Sequence, residues 1–451
     1  MVWFPTSLKI CHFTFGSCWV WFLLLAALAL FGYWKDGKAI TAAHAKWSRA
    51  WMIQEGAFAL MFLLFTLVKI YIPHIHDPVG EGYNGGGEAG MDYGFLASVV
   101  RGETFPPQNM WMAGQPIGYS FYYGHLMMGV LTKFLGLAPA VTYNLGLITL
   151  FALIFSGAFG LAYAFSGRLV SGWIAGFLCA AAGNPDGAKQ ILDALQQCLV
   201  TFSLSPLTNH VYDYWGPTRV IPFGNNTGST INEFPYFSVL YGDLHAHTLA
   251  MPFAMLLIGV IASIFFSKTT QPFQWKEDWP KLLTAGFVLG GITFLNTWEI
   301  PTWLVLLGIA YLVRNISGLN SKINQTGLRI TVICFLAALT LLGWYFRSGL
   351  ARVIAPFLRM DISENALGGT TGCLILFFGL GAAAATLWLW LRNSTRVLAK
   401  QFLTISLSIA GVLAAAGILW IPYFLGFRPQ QNKIMWVKPD IRTSLVNYFS
   451  V

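Results

Sequence analysis

The chain predicts an all-α fold: one polytopic bundle of transmembrane helices. Two observations carry that prediction. Across 451 residues, 56% are hydrophobic, 16% aromatic and only 10% charged, whereas soluble domains carry about 25% charge. The apolar residues also fall in runs of the length that crosses a bilayer as a helix, about 20 residues, with no two-residue alternation of a β-barrel. A third observation concerns the polar residues. Ten of the 18 acidic residues, and most of the histidines, fall in or beside two stretches, 72–125 and 186–247.

Taken in order, the strong spans are 15–34, 51–71, 140–166, 247–267, 328–346, 373–391 and 402–425. Weaker or shorter ones are 119–136, 169–185, 282–297 and 302–314. About ten or eleven spans result, packed as a bundle because lipid leaves no partner for a free backbone polar group. Residues 1–451 read as a single integral membrane domain. The first apolar run is followed by Lys35-Asp36-Gly37-Lys38, not by small residues, so it reads as an anchor and not as a cleaved leader. The six cysteines form no CxxC pair and mostly fall in the spans, where they serve as small packing residues.

The net charge of +9 does not indicate nucleic acid. The basic residues cluster in short loops: Lys35, Lys38, Lys46 and Arg49; Lys268, Lys276 and Lys281; Arg392, Arg396 and Lys400. Such clusters mark cytoplasmic loops. With those inside, 72–118 becomes a first outer loop, 186–246 a second, and Trp298-Glu299-Ile300-Pro301 lies outside too. The first loop holds five acids against a single basic residue, Arg101. One count conflicts: three spans lie between 119 and 185, where two outer loops require an even number. Either one of the three is a short re-entrant or interfacial helix, or 187–204 supplies another crossing. A basic group in 347–372, Arg347, Arg352 and Arg359, would also fall outside, where it suits solvated loop charges or a lipid phosphate.

The candidate site residues lie in these loops. Glu88 and Asp92 follow the run Gly85-Gly86-Gly87 and are four apart, so a helix would set them on one face. Paired carboxylates repel, which raises one pKa. That suits a general base or a divalent metal ion, and either acid could instead cap the following helix. Further on, Phe105-Pro106-Pro107 precedes Tyr119-Ser120-Phe121-Tyr122-Tyr123-Gly124-His125. Those tyrosines suit an interfacial belt or a sugar-stacking surface, and His125 lies one turn into an apolar span, an expensive place for an ionisable group. The densest constellation is Asn232-Glu233 through Asp243-Leu244-His245-Ala246-His247. In extended chain Asp243, His245 and His247 share a face; in a helix Asp243 and His247 align and His245 turns away. They suit a metal, a phosphate or proton transfer, or a plain helix cap. Arg219 among aromatics suits a phosphate or a sugar, and Glu299 is a carboxylate at the outer end of a span.

Together these stretches resemble an uncharacterised prokaryotic family of polytopic membrane proteins known for a Tyr-Tyr-Tyr motif. The resemblance runs from about Trp47 to the C-terminus and rests on Glu88 to Asp92, Phe105-Pro106-Pro107, Tyr119 to His125, Tyr143-Asn144-Leu145, Gly183-Asn184, Asn232 to His247 and Asn296 to Pro301. The naming motif departs here to Tyr-Ser-Phe-Tyr-Tyr, and Ala246 stands where the family commonly has proline. The family continues with more spans, which implies that the chain is truncated after Val451. It is in turn similar to the GT-C glycosyltransferases, through an acidic first outer loop followed by Pro-Pro and an aromatic-led span. That similarity implies a GT-C-like inner-membrane protein of the cell envelope, transferring sugar on the extracytoplasmic face from a polyprenyl-phosphate donor to an unidentified acceptor. Asp92 or Glu88 would be the general base. Asp243, His245 and His247 would hold a divalent metal ion or the donor phosphate, with Asp243 acting catalytically. Tyr122, Tyr123, His125, Arg219, Glu233 and Glu299 would bind substrate. A transporter or flippase using the same acids and histidines as a proton relay is the alternative, and it predicts those groups near the bilayer midplane; a noncatalytic scaffold is a third reading.

Overall fold

The computed structural model describes residues 3–71, 88–117, 122–208, 213, 215–219, 231–266, 275–296, 299–317 and 395–426. The glycine run 85–87, Tyr119, the spans 328–346 and 373–391, the basic group in 347–372 and the C-terminal stretch from 427 lie outside the described residues.

The described fold is all-α. Its helices are α1 (Trp3–Ser7), α2 (Phe15–Tyr71), α3 (Ala89–Arg101), α4 (Tyr122–Leu135), α5 (Pro139–Ser166), α6 (Leu169–Ala180) and α7 (Pro185–Thr201). Then follow α8 (Ser205–Thr208), α9 (Pro235–Tyr241), α10 (Ala246–Phe265), α11 (Trp275–Leu295), α12 (Ile300–Ser317), α13 (Thr395–Leu419) and α14 (Ile421–Gly426). Helix α2 is two helices joined across a kink at Asp36. Four described segments are long and apolar enough to cross a membrane: Phe15–Lys38, Ser48–Ile70, Pro139–Ser166 and Ala246–Phe265. Leu169–Ala180, Ile300–Tyr311 and Leu403–Leu419 are apolar but shorter.

Side-chain contacts give each helix its direction. Phe65 of α2 stacks on Phe151 of α5 at 4.4 Å, and Gln54 lies against Gly160, so the second half of α2 runs antiparallel to α5. Trp173 of α6 meets Phe159 and Phe155, and Gly172 and Gly176 let the two helices close on those rings; α6 therefore runs back along α5. Met255 packs on Gly157, while the Tyr143 hydroxyl donates to the Gly242 carbonyl at 2.5 Å, which sets α10 parallel to α5. The Trp420 indole donates to Phe287 O and the Tyr423 hydroxyl to Thr293 O, so α11 and α13 rise together.

These directions bring Lys69, Tyr143, the start of α10 and the site loops to one end of the bundle. They also bear on the odd span count. Helix α4 has 14 residues, about 21 Å, too short to cross. It packs beside α3 in parallel: His125 meets Asp92 near their starts, and Lys133 donates to the Gly102 and Phe13 carbonyls near their ends. Helix α5, with 28 residues, is long enough to cross, whereas α6, with 12, is apolar but shorter than a full span. Over 187–204, α7 carries Lys189, Asp193 and three glutamines among its apolar residues and is amphipathic, unlike the uniformly apolar spans.

Candidate functional site

The site forms where the first loop meets the second. Gly242 ends α9 in the left-handed conformation (φ 87°), a turn that costs glycine nothing, and Asp243-Leu244-His245 then runs non-helically into α10. Of the two arrangements open from sequence, the extended one therefore holds for Asp243 and His245, whereas His247 lies in the first turn of α10.

Asp92 reaches into this strand-like link. Its Oδ2 accepts the Leu244 N–H at 2.7 Å, and its Oδ1 lies 3.4 Å from His125 Nε2. Asp92 is 4% exposed and His125 2%. A buried carboxylate so engaged clamps the two loops together, since a hydrogen bond to an ionised acceptor is about twice as strong as a neutral one.

Glu88 is the open member of the pair. It occupies the N-cap position of α3 without capping it through its side chain. Instead Glu88 Oε2 lies 3.6 Å from His245 Nδ1. On the other edge of the same ring, His245 Nε2 is 3.4 Å from Glu233 Oε2 and 3.5 Å from Asp243 Oδ2. Three carboxylates thus surround one imidazole. Glu233 continues to Arg219 at 3.6 Å, and the Arg219 guanidinium lies over the Trp215 ring at 4.2 Å. His247 stacks on His245 with ring centroids 5.4 Å apart and is exposed.

The electrostatics follow from this crowding. Burial pushes the Asp243 carboxyl up, opposed by His245 and reinforced by Asp92 and Glu233. Burial likewise raises Glu88, with His245 opposing and the three other acids adding to the rise. Burial alone would pull His245 down, but Asp243, Glu233 and Glu88 together outweigh it and its pKa stands above the ordinary value. All three shifts have one sign: the folded cluster holds protons more tightly than the unfolded chain. A raised folded-state pKa contributes stability that is fully present below the unfolded value and lost as pH rises through the folded one. These three groups therefore contribute a loss of thermal stability in detergent as pH climbs from the carboxylate values of 3.8 and 4.5 to beyond the histidine value of 6.5, against an opposite contribution from His247 and Lys69, whose pKa values burial lowers. In His245→Gln the upper part of that slope should flatten. Melting curves across pH for both proteins check it, and an unchanged slope would show that His245 is not the group titrating.

Three predicted site residues lie apart from this cluster. The Glu299 carboxylate accepts from Asn296 Nδ2 at 3.0 Å and Trp303 Nε1 at 2.9 Å, both local to the start of α12. Tyr122 and Tyr123 pack into an aromatic group with Trp3, Phe294 and Trp420, where Tyr123 stacks on Phe294 at 4.8 Å. Two residues not named as site residues from sequence do belong to it, although Tyr143 lies in a stretch that carries the resemblance. Lys69, 4% exposed at the end of α2, donates to the Leu240 carbonyl at 3.1 Å, and Tyr143 holds Gly242. A lysine closing an otherwise apolar span was the one available signal for the first. Among the described residues, no three His, Cys, Asp or Glu side chains are arranged to hold a metal ion; the carboxylates close on His245 instead.

Below the cluster an apolar groove of about 400 Å³ is lined by residues of α2, α4, α5 and α10, among them Gly124, Met128, Leu153, Leu249 and Phe253. Gly124 adjoins His125, and Leu249 follows His247 by two residues, so two of the helices that line the groove also carry site residues.

Apolar helices, a parallel-and-antiparallel bundle and charged groups gathered at one end define an all-α, multi-pass integral membrane protein. The chain belongs to the family described as uncharacterised membrane protein DUF2298, whose profile matches residues 1–451. No curated protein and no solved structure matches it.

Proposed function

We propose that this protein is a membrane glycosyltransferase that takes a sugar from a polyprenyl-phosphate-linked donor on the extracytoplasmic face. The observation that carries the reading is the meeting of the two loops at one end of the bundle: Glu88 stands at ion-pair distance from His245, which pairs with Asp243, and Asp92 accepts the N–H of Leu244 between them. The geometry test precedes any chemistry. A transporter would hold these groups near mid-depth; here they flank the ends of α2, α5 and α10. Lys35, Lys38, Arg168, Lys281 and Arg314 lie toward the opposite end, which by the positive-inside rule supports an outward-facing cluster.

In this reading Glu88 accepts the proton of the acceptor hydroxyl as the new bond to the sugar C1 forms and the bond from C1 to the phosphate oxygen breaks. Protonated His245, with Arg219 beyond it, meets the charge that builds on the departing lipid phosphate. Asp243 holds His245 in its charged form, and Asp92 fixes the loop on which both stand. The isoprenoid chain lies in the apolar groove.

The test is sugar transfer or release in proteoliposomes supplied with radiolabelled polyprenyl-phosphate hexose, with and without EDTA to read any divalent-ion requirement. Label crossing the membrane without bond cleavage would replace this reading with the transporter. The groove gives a second expectation. Leu153, 41% exposed, can become tryptophan at little packing cost while filling the space. Leu153→Trp should raise KM for a long-chain donor by tenfold or more, about 1.4 kcal/mol, and leave a short-chain analogue unchanged. Equal effects on both donors would remove the groove from the binding site.

A further inference from the structure

Helix α7 buries only Gly187 and Ala194, yet it is strongly amphipathic. At 100° per residue, Ile191, Leu192, Leu195 and Leu199 form one continuous stripe, and all four are exposed, Leu199 to 77%. Phe202 and Leu204, just beyond the helix, are 96% and 70% exposed. Asp186, Lys189, Asp193, Gln196 and Gln197 occupy the other side. So much apolar surface on one face marks a contact, not a solvated helix.

The chain itself shows what is within reach of that face. The apolar helix α6 ends at Ala180, and α7 begins at Pro185. Four residues reach at most about 14 Å when fully extended. That link is shorter still in effect, because Gly183 is pressed against the Phe234 ring beside α9. The start of α7 is therefore fixed where the bundle leaves the bilayer. Its polar side is tied to the site: the Gln190 side chain donates to Asp213 O at 2.8 Å and accepts the Asp213 N–H at 2.9 Å, and Asp213 caps the turn that carries Trp215 and, through it, Arg219.

We propose that α7 is an in-plane helix of the membrane interface, with Ile191, Leu192, Leu195 and Leu199 resting in the lipid and Gln190 holding the Arg219 turn at headgroup level. Helices of this composition sink their apolar face about 5–10 Å into the headgroup boundary. The inference does not depend on the enzymatic reading.

A nitroxide side chain placed singly at 195, 199, 189 and 193 by an unnatural amino acid leaves the six native cysteines untouched. The positions are exposed, so the label adds no packing strain, and a melting curve for each variant checks the fold. In phosphatidylglycerol–phosphatidylethanolamine nanodiscs, residues 195 and 199 are expected to collide with dissolved oxygen several-fold more than with a water-soluble nickel chelate. Residues 189 and 193 should show the reverse. Nickel access at 195 and 199 would place the face in water and overturn the proposal. Low access to both reagents there would also overturn it, in favour of a protein surface covering α7.

Discussion

Replacing Glu88 with glutamine is expected to lower sugar transfer by about 10²–10⁴-fold, the contribution of a positioned general base. The neutral amide keeps the side chain's size and removes its ability to take a proton. Because the Glu88 side chain is 57% exposed, the fold should be unaffected, and any change in melting should be a small gain at neutral pH from removing a charge crowded by other acids. Asp92→Asn should behave differently. Asp92 is engaged by the Leu244 N–H and His125, so its loss weakens the clamp between the loops and should lower stability and raise KM together. Steady-state rates on the two variants beside their melting curves separate the roles. A Glu88→Gln protein within about threefold of wild type would remove Glu88 as the base, and with it the division of labour between the two acids.

That division could not be read in the sequence. The i, i+4 spacing of Glu88 and Asp92 predicts a shared face, but nothing in the spacing says which acid faces solvent. The difference arises because Leu244, 152 positions away, offers its backbone N–H to Asp92. A main-chain donor has no residue type to recognise. Likewise Asp243 and His245 announce themselves, whereas the partner that completes the ring, Glu233, is set by the turn through Gly242 and the short α9.

The bundle was more legible than its passes, because composition alone forces helices in lipid but does not say where a short helix stops. Tyr122–Leu135 is apolar enough to resemble a span and ends after 14 residues at Gly136. The carboxylate at the start of the α12 segment, Glu299, reads as a substrate contact by cost alone. Its cost is met locally by Asn296 and Trp303, three and four residues away. The tyrosines of 122–123 were ambiguous for the opposite reason: aromatic rings suit a ligand and a core equally, and Phe294, Trp420 and Trp3 lie too far along the chain for a local pattern to show them.

The end of the bundle opposite the site holds the largest expected effect on stability. Arg314 Nη2 of α12 bonds Asp278 Oδ2 of α11 at 2.7 Å, with both side chains about 95% buried or more. Lys281 stands 3.6 Å from the other Asp278 oxygen and reaches toward the Ser263 carbonyl of α10, so three helix ends meet on one carboxylate. Arg314→Met removes the bonded cation and leaves that carboxylate buried. Breaking a buried pair from one side costs about 3–5 kcal/mol, and Lys281, one-third exposed, is too well solvated to substitute. The double variant Asp278→Asn, Arg314→Met no longer buries a charge and should recover most of the loss. For comparison, the pair His12–Glu103 is about 70% exposed on both sides, and His12→Ala should shift stability by no more than about 1 kcal/mol. Thermal unfolding of the four proteins in one detergent gives the ranking. If Arg314→Met melts with wild type, the pair is a bystander; if the double variant falls as far as the single, the pair's geometry and not its charge balance holds α10, α11 and α12 together.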